Sequence, residues 1–138
     1  MDRGRIANLP FFAGLPEAEL DVVARVASER EVAAGEALTT QGEFGHCLFL
    51  VESGSAEVST NGATVGQVGP GDVVGEVAVL ASGRRTASVV ATSPLRAIAL
   101  FKRDVWALER RAPEAARRLR AALEEHVGSK PAPPSLNL

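Results

Sequence analysis

The chain has 138 residues, a formal net charge of -2 and a single cysteine, Cys47. With 46% hydrophobic and 23% charged residues, it reads as one soluble domain with a real core. The slightly acidic balance argues against a dedicated nucleic-acid binder. One cysteine excludes an internal disulfide and suits a reducing cytoplasm. The first eight residues lack an apolar signal segment. No apolar run approaches the roughly 20 residues of a membrane span.

Residues 8–28 are predicted to be helical. Pro16 suits a first helical turn, Glu17 and Glu19 suit its positive end, and Leu20, Val23, Ala24 and Ala27 recur on one face. Residues 30–101 read as many short strands. Leu48-Phe49-Leu50-Val51 is a buried run closed by Ser53-Gly54, and Ala56 and Val58 alternate with Glu57 and Ser59. Asn61-Gly62 is a hairpin signal between Val58 and Val65, and Gly69-Pro70-Gly71-Asp72 is a tight turn. Val89-Val90 and Leu95 to Phe101 add two strands. Short strands with regular glycine turns predict a barrel, roll or jelly-roll. Residues 104–127 return to helix. Asp104 is the expected N-cap, Pro113 divides two helices, and Ala115, Ala116, Leu119, Ala122, Leu123, His126 and Val127 form an apolar stripe. Glu114 and Arg118 form an i,i+4 pair. Residues 128–138 are expected to be a disordered, Pro-rich tail.

Chemistry concentrates in Gly75-Glu76-Val77-Ala78 and in Gly83-Arg84-Arg85-Thr86-Ala87-Ser88-Val89. Backbone N–H groups opening a short helical turn attract an anion. Arg85 can hold a phosphate with two parallel hydrogen bonds. An ionised Glu76 accepts the proton of a sugar hydroxyl. Ala78, Thr86, Ala87 and Ser88 are small enough for main chain to approach a ligand. Together they suit a molecule with one phosphate and one ribose. A Glu76–Arg85 ion pair is the structural alternative.

The order of elements and this motif resemble the cyclic nucleotide-binding domain of kinase regulatory subunits, catabolite activator protein and cyclic-nucleotide-gated channels. The likeness covers residues 8–127, and Gly75–Val89 is similar to the family's phosphate-binding cassette. The resemblance implies an α+β fold: an eight-stranded antiparallel β-roll, jelly-roll-like, with an N-terminal helix and two C-terminal helices. It implies a ligand, cAMP or cGMP, and no cofactor. Arg85 would contact the cyclic phosphate, and Glu76 with the backbone of Gly75 would hold the ribose hydroxyl. Val77 lies within the cassette, and the N–H groups of Ala78, Thr86 and Ala87 would reach the phosphate or ribose. Val58 and Val68 would press on the purine. His126 falls where the channels carry a purine-capping arginine, and helix packing is its other reading. Thr86 permits cGMP without excluding cAMP.

The function implied is a bacterial, cytoplasmic sensor that signals through its last helix to a protein partner or fused effector. A monomer or loose dimer is expected, with no membrane or nucleic-acid contact through this chain. The alternatives are a non-sensing interaction module and a receptor for another ligand such as a cyclic dinucleotide. An enzyme is not expected: His46 and His126 are too few for a metal-dependent jelly-roll site, and one cysteine cannot hold an iron–sulfur cluster. Two further expectations concern single residues. Cys47 is read as a small buried hydrophobe, and Trp106 as core. Arg110, Arg111, Arg117, Arg118 and Arg120 are read as a solvated helix face.

Overall fold

A computed structural model describes residues 1–75 and 83–128, the last six of these in their backbone only. Glu76, Val77, Ala78, the side chain of His126 and the tail from 129 on therefore lie outside the described residues. Among the described residues eight strands form two antiparallel sheets: β1 Ser28–Val32, β2 Ala37–Thr39, β3 Cys47–Ser53, β4 Ala56–Thr60, β5 Ala63–Val68, β6 Val73–Val74, β7 Ser88–Ala91 and β8 Leu95–Phe101. One sheet has the order β1-β8-β3-β6, the other β2-β7-β4-β5. This is the expected roll.

In the first sheet β3 and β8 are buried on both faces, which explains why they read as continuous apolar runs rather than as alternating ones, whereas the edge strand β1 is largely exposed. Side chains alternate across a strand. On one face Leu48, Leu50, Ile98 and Leu100 join the helices in a core that includes Ile6, Phe12, Leu108 and Leu119. On the other face Cys47, Phe49, Val51, Ala97 and Ala99 line the interior of the roll with Val58, Ala87 and Val89.

Turn chemistry sets the register. Asn61 and Gly62 both have positive φ, 53° and 83°, as a two-residue I′ turn requires, and Thr60 pairs with Ala63 across it. At the Gly69–Asp72 turn the Asp72 carboxylate accepts from the Gly69 N–H at 2.8 Å.

The helices depart from expectation at their edges. The helix expected over 8–28 is broken into a 3-10 turn, Pro10–Phe12, and a helix α2, Glu17–Val26, because Gly14 at φ 78° and Pro16 interrupt it. A separate helix α1, Arg3–Ala7, precedes both, with the Asp2 side chain accepting from the Gly4 N–H. Five residues are too few for a periodic signal. Helix α3 spans Lys102–Arg111 and starts two residues before the expected Asp104 cap. Strand β8 runs directly into it, and the Lys102 N–H donates to the His46 carbonyl at 3.0 Å instead. Trp106 is not core: it is 57% exposed, because Val105 and Leu108 occupy the face of α3 that packs. Helix α4 begins at Pro113 as expected and runs to Gly128. Glu19 of α2 reaches over to accept from the Ala115 N–H at 2.9 Å, capping α4 from a distant part of the chain. Arg118 meets Glu114 at 3.3 Å as the i,i+4 spacing predicts. Among the described residues no helix is long and apolar enough to cross a membrane.

Candidate functional site

The segment leading into β7 is held by a short antiparallel ladder against residues 42–45. Gly45 N–H donates to Gly83 O, Arg85 N–H to Glu43 O, and Gly42 N–H to Arg85 O, at 2.9, 2.7 and 2.9 Å. Extended backbone sends neighbouring side chains to opposite sides. Arg84 therefore turns outward and stacks on the ring of exposed Phe44, 4.2 Å from its centroid. Arg85 turns inward and is only 7% exposed.

Inside the roll the Arg85 guanidinium touches main chain. Its Nη2 donates to the Cys47 carbonyl at 2.7 Å and its Nη1 lies 3.5 Å from the Gly75 carbonyl. Its central carbon is 5.6 Å from the Phe49 ring centroid. Among the described residues it has no ion pair. Burial lowers its affinity for its proton from the usual arginine value, while the Cys47 side chain opposes that effect. The same burial pushes the Cys47 thiol up, against the pull of Arg85 and Arg30. Cys47 is thus the buried small residue expected.

Gly75 and Arg85, ten residues apart, are brought into contact. Gly75 has φ 90°, and a Cβ there would stand 2.2 Å from Arg85 Nη1 and 3.3 Å from the Cys47 carbonyl. Only glycine leaves the guanidinium its place.

Ala87 is buried in the roll core and Thr86 is half-buried. The Thr39 hydroxyl donates to the Ala87 carbonyl at 3.1 Å, fixing the start of β7. Val58 is fully buried beside β7, in register with Val89. Val68 is half-buried at the end of β5, opposite Ala56, and packs on the same core. Among the expected ligand residues, Gly75 and Arg85 are thus in contact, Ala87, Val58 and Val68 belong to the roll interior, and Thr86 is half-buried on the alternate side of the strand entry. Three features escaped sequence reading: the Cys47 carbonyl, the Phe49 ring and the bracing segment 42–45. Phe49 has the parity of the inner face, but only the strand order shows what it meets.

A buried guanidinium thus rests on main-chain carbonyls beside a glycine turn and small residues, with the paired donors that a planar anion would need. The family described as the cyclic nucleotide-binding domain matches residues 29–111, and the chain belongs to that family. It is 35% identical over 123 residues to a cyclic AMP receptor protein of Thermus thermophilus, covering 86% of this chain and 57% of that one. A cAMP-dependent protein kinase regulatory subunit of Yarrowia lipolytica is 34% identical over 72% of this chain, which spans 24% of that relative. The crystal structure of the Thermus thermophilus catabolite activator protein superposes with a TM-score of 0.76 at 35% identity, over 86% of this chain and 58% of that one. The chain thus spans little more than half of the Thermus protein and a smaller share of the kinase subunit.

Proposed function

We propose that residues 8–127 form a reversible sensor of cAMP or cGMP that passes ligand binding to a partner or fused effector through α4. The observation that carries this reading is Arg85: a cation only 7% exposed, turned into the roll, with no ion pair among the described residues. An unpaired buried charge is costly by several kcal/mol, and a cyclic phosphate monoanion would supply its counter-charge. The arginine fork suits two oxygens of one phosphate.

In this reading Glu76 and the Gly75 backbone take the ribose hydroxyl, while Val77, Ala78, Thr86 and Ala87 complete the cradle. Val58 and Val68 meet the purine, and His126 on α4 closes over it. A ligand that prefers the closed position of α4 shifts that equilibrium by its difference in affinity for the two forms. The chain acts as a cytoplasmic regulatory module without a reaction of its own.

The test is calorimetric titration of nucleotide-free protein with cAMP and with cGMP, beside Arg85→Ala. Binding in the micromolar range or tighter is expected, weakened in the variant by about 2–5 kcal/mol. A folded variant that binds as tightly as the wild type refutes the Arg85 assignment. Absence of binding by either nucleotide to the wild type refutes the sensor reading.

A further inference from the structure

Arg30 belongs to β1, at the edge of its sheet, where it is directly opposite Ala97 of β8. Val32, two residues on, is buried in the roll interior opposite Leu95, so Arg30 shares the inner face. Its neighbours Glu29 and Glu31 face the other way, and both pair with Arg96 at 3.6 Å. On this inner face β8 presents Ala97, directly opposite Arg30, and Ala99 beside it, opposite Phe49 of β3. Two alanines leave a long side chain room to lie across the strand. The Arg30 guanidinium carbon does so, reaching 5.5 Å from the Phe49 ring centroid. The corresponding carbon of Arg85 is 5.6 Å from the same centroid.

Two guanidinium groups thus converge on one phenyl ring. Arg3, Arg5, Arg96, Arg117, Arg118 and Arg120 all meet carboxylates. Arg30 and Arg85 have no ion pair among the described residues. Two like charges held near one another repel unless an anion lies between or beside them. Arg30 also acts electrostatically on both Cys47 and Arg85, so its head group is within range of the groups that define the receptor. Being exposed, it can swing toward a ligand at little conformational cost, whereas Arg85 is fixed.

We propose that Arg30, reaching over the two alanines of β8, is the second cation of the anion site and contacts the ligand's phosphate together with Arg85. This rests on the reading of Arg85 as the phosphate anchor and adds a residue to it. Arg85 supplies the fixed, buried charge, and Arg30 supplies a mobile charge at the mouth that draws the anion in and slows its escape. The contribution of Arg30 is the more exposed one and is therefore the more sensitive to salt.

The experiment compares wild type, Arg30→Gln, Arg30→Lys and Arg85→Ala by titration with cAMP and cGMP at about 50 mM and about 1 M salt, where the Debye length falls to about 3 Å. Arg30→Gln is expected to bind about 3- to 10-fold more weakly at low salt. Arg30→Lys should recover part of that loss, and the ratio to wild type should approach one at high salt. Arg30 is on the surface, so an unchanged melting temperature certifies the fold of each variant. Equal affinity of Arg30→Gln and wild type at low salt overturns the proposal. So does an equal loss in Arg30→Lys and Arg30→Gln that persists at high salt, which would mark a purely steric role beside Phe49. If wild type binds neither nucleotide, the sensor reading fails and inorganic phosphate becomes the probe. A phosphate-induced rise in melting temperature that is smaller in Arg30→Gln then upholds the two-arginine site. An equal rise, or none in wild type, overturns it.

Discussion

The two faces of the first sheet use the same strands for opposite ends. Toward the helices, β3 and β8 present Leu48, Leu50, Ile98 and Leu100, met by Ile6, Phe12, Leu108 and Leu119. The rim of that face is closed by ion pairs such as Arg5 with Glu52. Toward the roll interior the same strands present Cys47, Phe49, Val51, Ala97 and Ala99, and the charges there, Arg85 and Arg30, meet no carboxylate among the described residues. Large aliphatics that interlock make a stiff support. Small residues around a cation without a carboxylate partner leave a charge that is costly to bury and that, in the proposed function, an anion would offset. The helix support and the proposed anion site are thus separated by the thickness of one strand, with adjacent residues on opposite sides.

The strongest way to break this contrast is to weaken the support without touching the receptor. Leu100 is fully buried on the helix face, and Leu100→Ala should lower unfolding free energy by about 2–5 kcal/mol. Denaturant titration measures that loss. Nucleotide affinity at temperatures where the variant remains folded should stay within about twofold of wild type. A large loss of affinity in the folded variant would mean that the two faces are mechanically coupled. The converse change is Gly75→Ala. The new methyl group would stand 2.2 Å from Arg85 Nη1 at a residue with φ 90°. Backbone strain of about 1–3 kcal/mol should come together with weaker nucleotide binding, because the guanidinium must move. Gly62→Ala is the control, since Gly62 also has positive φ but nothing within 4 Å of the added Cβ. It should cost stability and leave binding intact.

The same contrast explains what could be read from the sequence. The strand run 48–51, the Asn61-Gly62 hairpin and the Gly69–Asp72 turn are local signals, and the structure has them where expected. Arg85 stands out in the sequence between Gly83 and small residues, nine positions after Glu76, and the structure buries it with no ion pair among the described residues. Trp106 lies at the start of a helix that packs on the roll, which suggests core, but the spacing of Val105 and Leu108 defines the packed face of α3 and leaves Trp106 outside it. The Glu19 cap on α4 joins residues 96 positions apart, and no local pattern carries it. The meeting of Arg30 and Arg85 over Phe49 depends on the order β1-β8-β3, which strand periodicity cannot supply. Turns and strands made by one segment were therefore readable, and contacts that bring two sheets or two helices together were not.

The smallest expected effect lies on the rim of the helix face and carries a sign in pH. Arg5 of α1 holds the Glu52 carboxylate of β3 with hydrogen bonds of 2.6 and 3.1 Å, and the pair ties α1 to the sheet. Arg5 is about a third exposed and Glu52 about a fifth, so the contribution is that of a partly screened pair, up to about 1 kcal/mol. The hydrogen bond from Arg5 lowers the Glu52 carboxyl below its ordinary value of 4.5. A carboxyl held low in the folded state stabilises above its unfolded value, and that contribution is lost as pH falls through the folded value. Wild type should therefore exceed Arg5→Gln in stability at pH 7, and the gap should close as pH falls below 4.5, measured by denaturant titration at each pH. A gap that stays constant down to pH 3 would show that Arg5 acts through the packing of its stem and not through its charge. Nucleotide affinity at pH 7 should not change in this variant, because a rim pair on the helix face is a full sheet thickness away from Arg85.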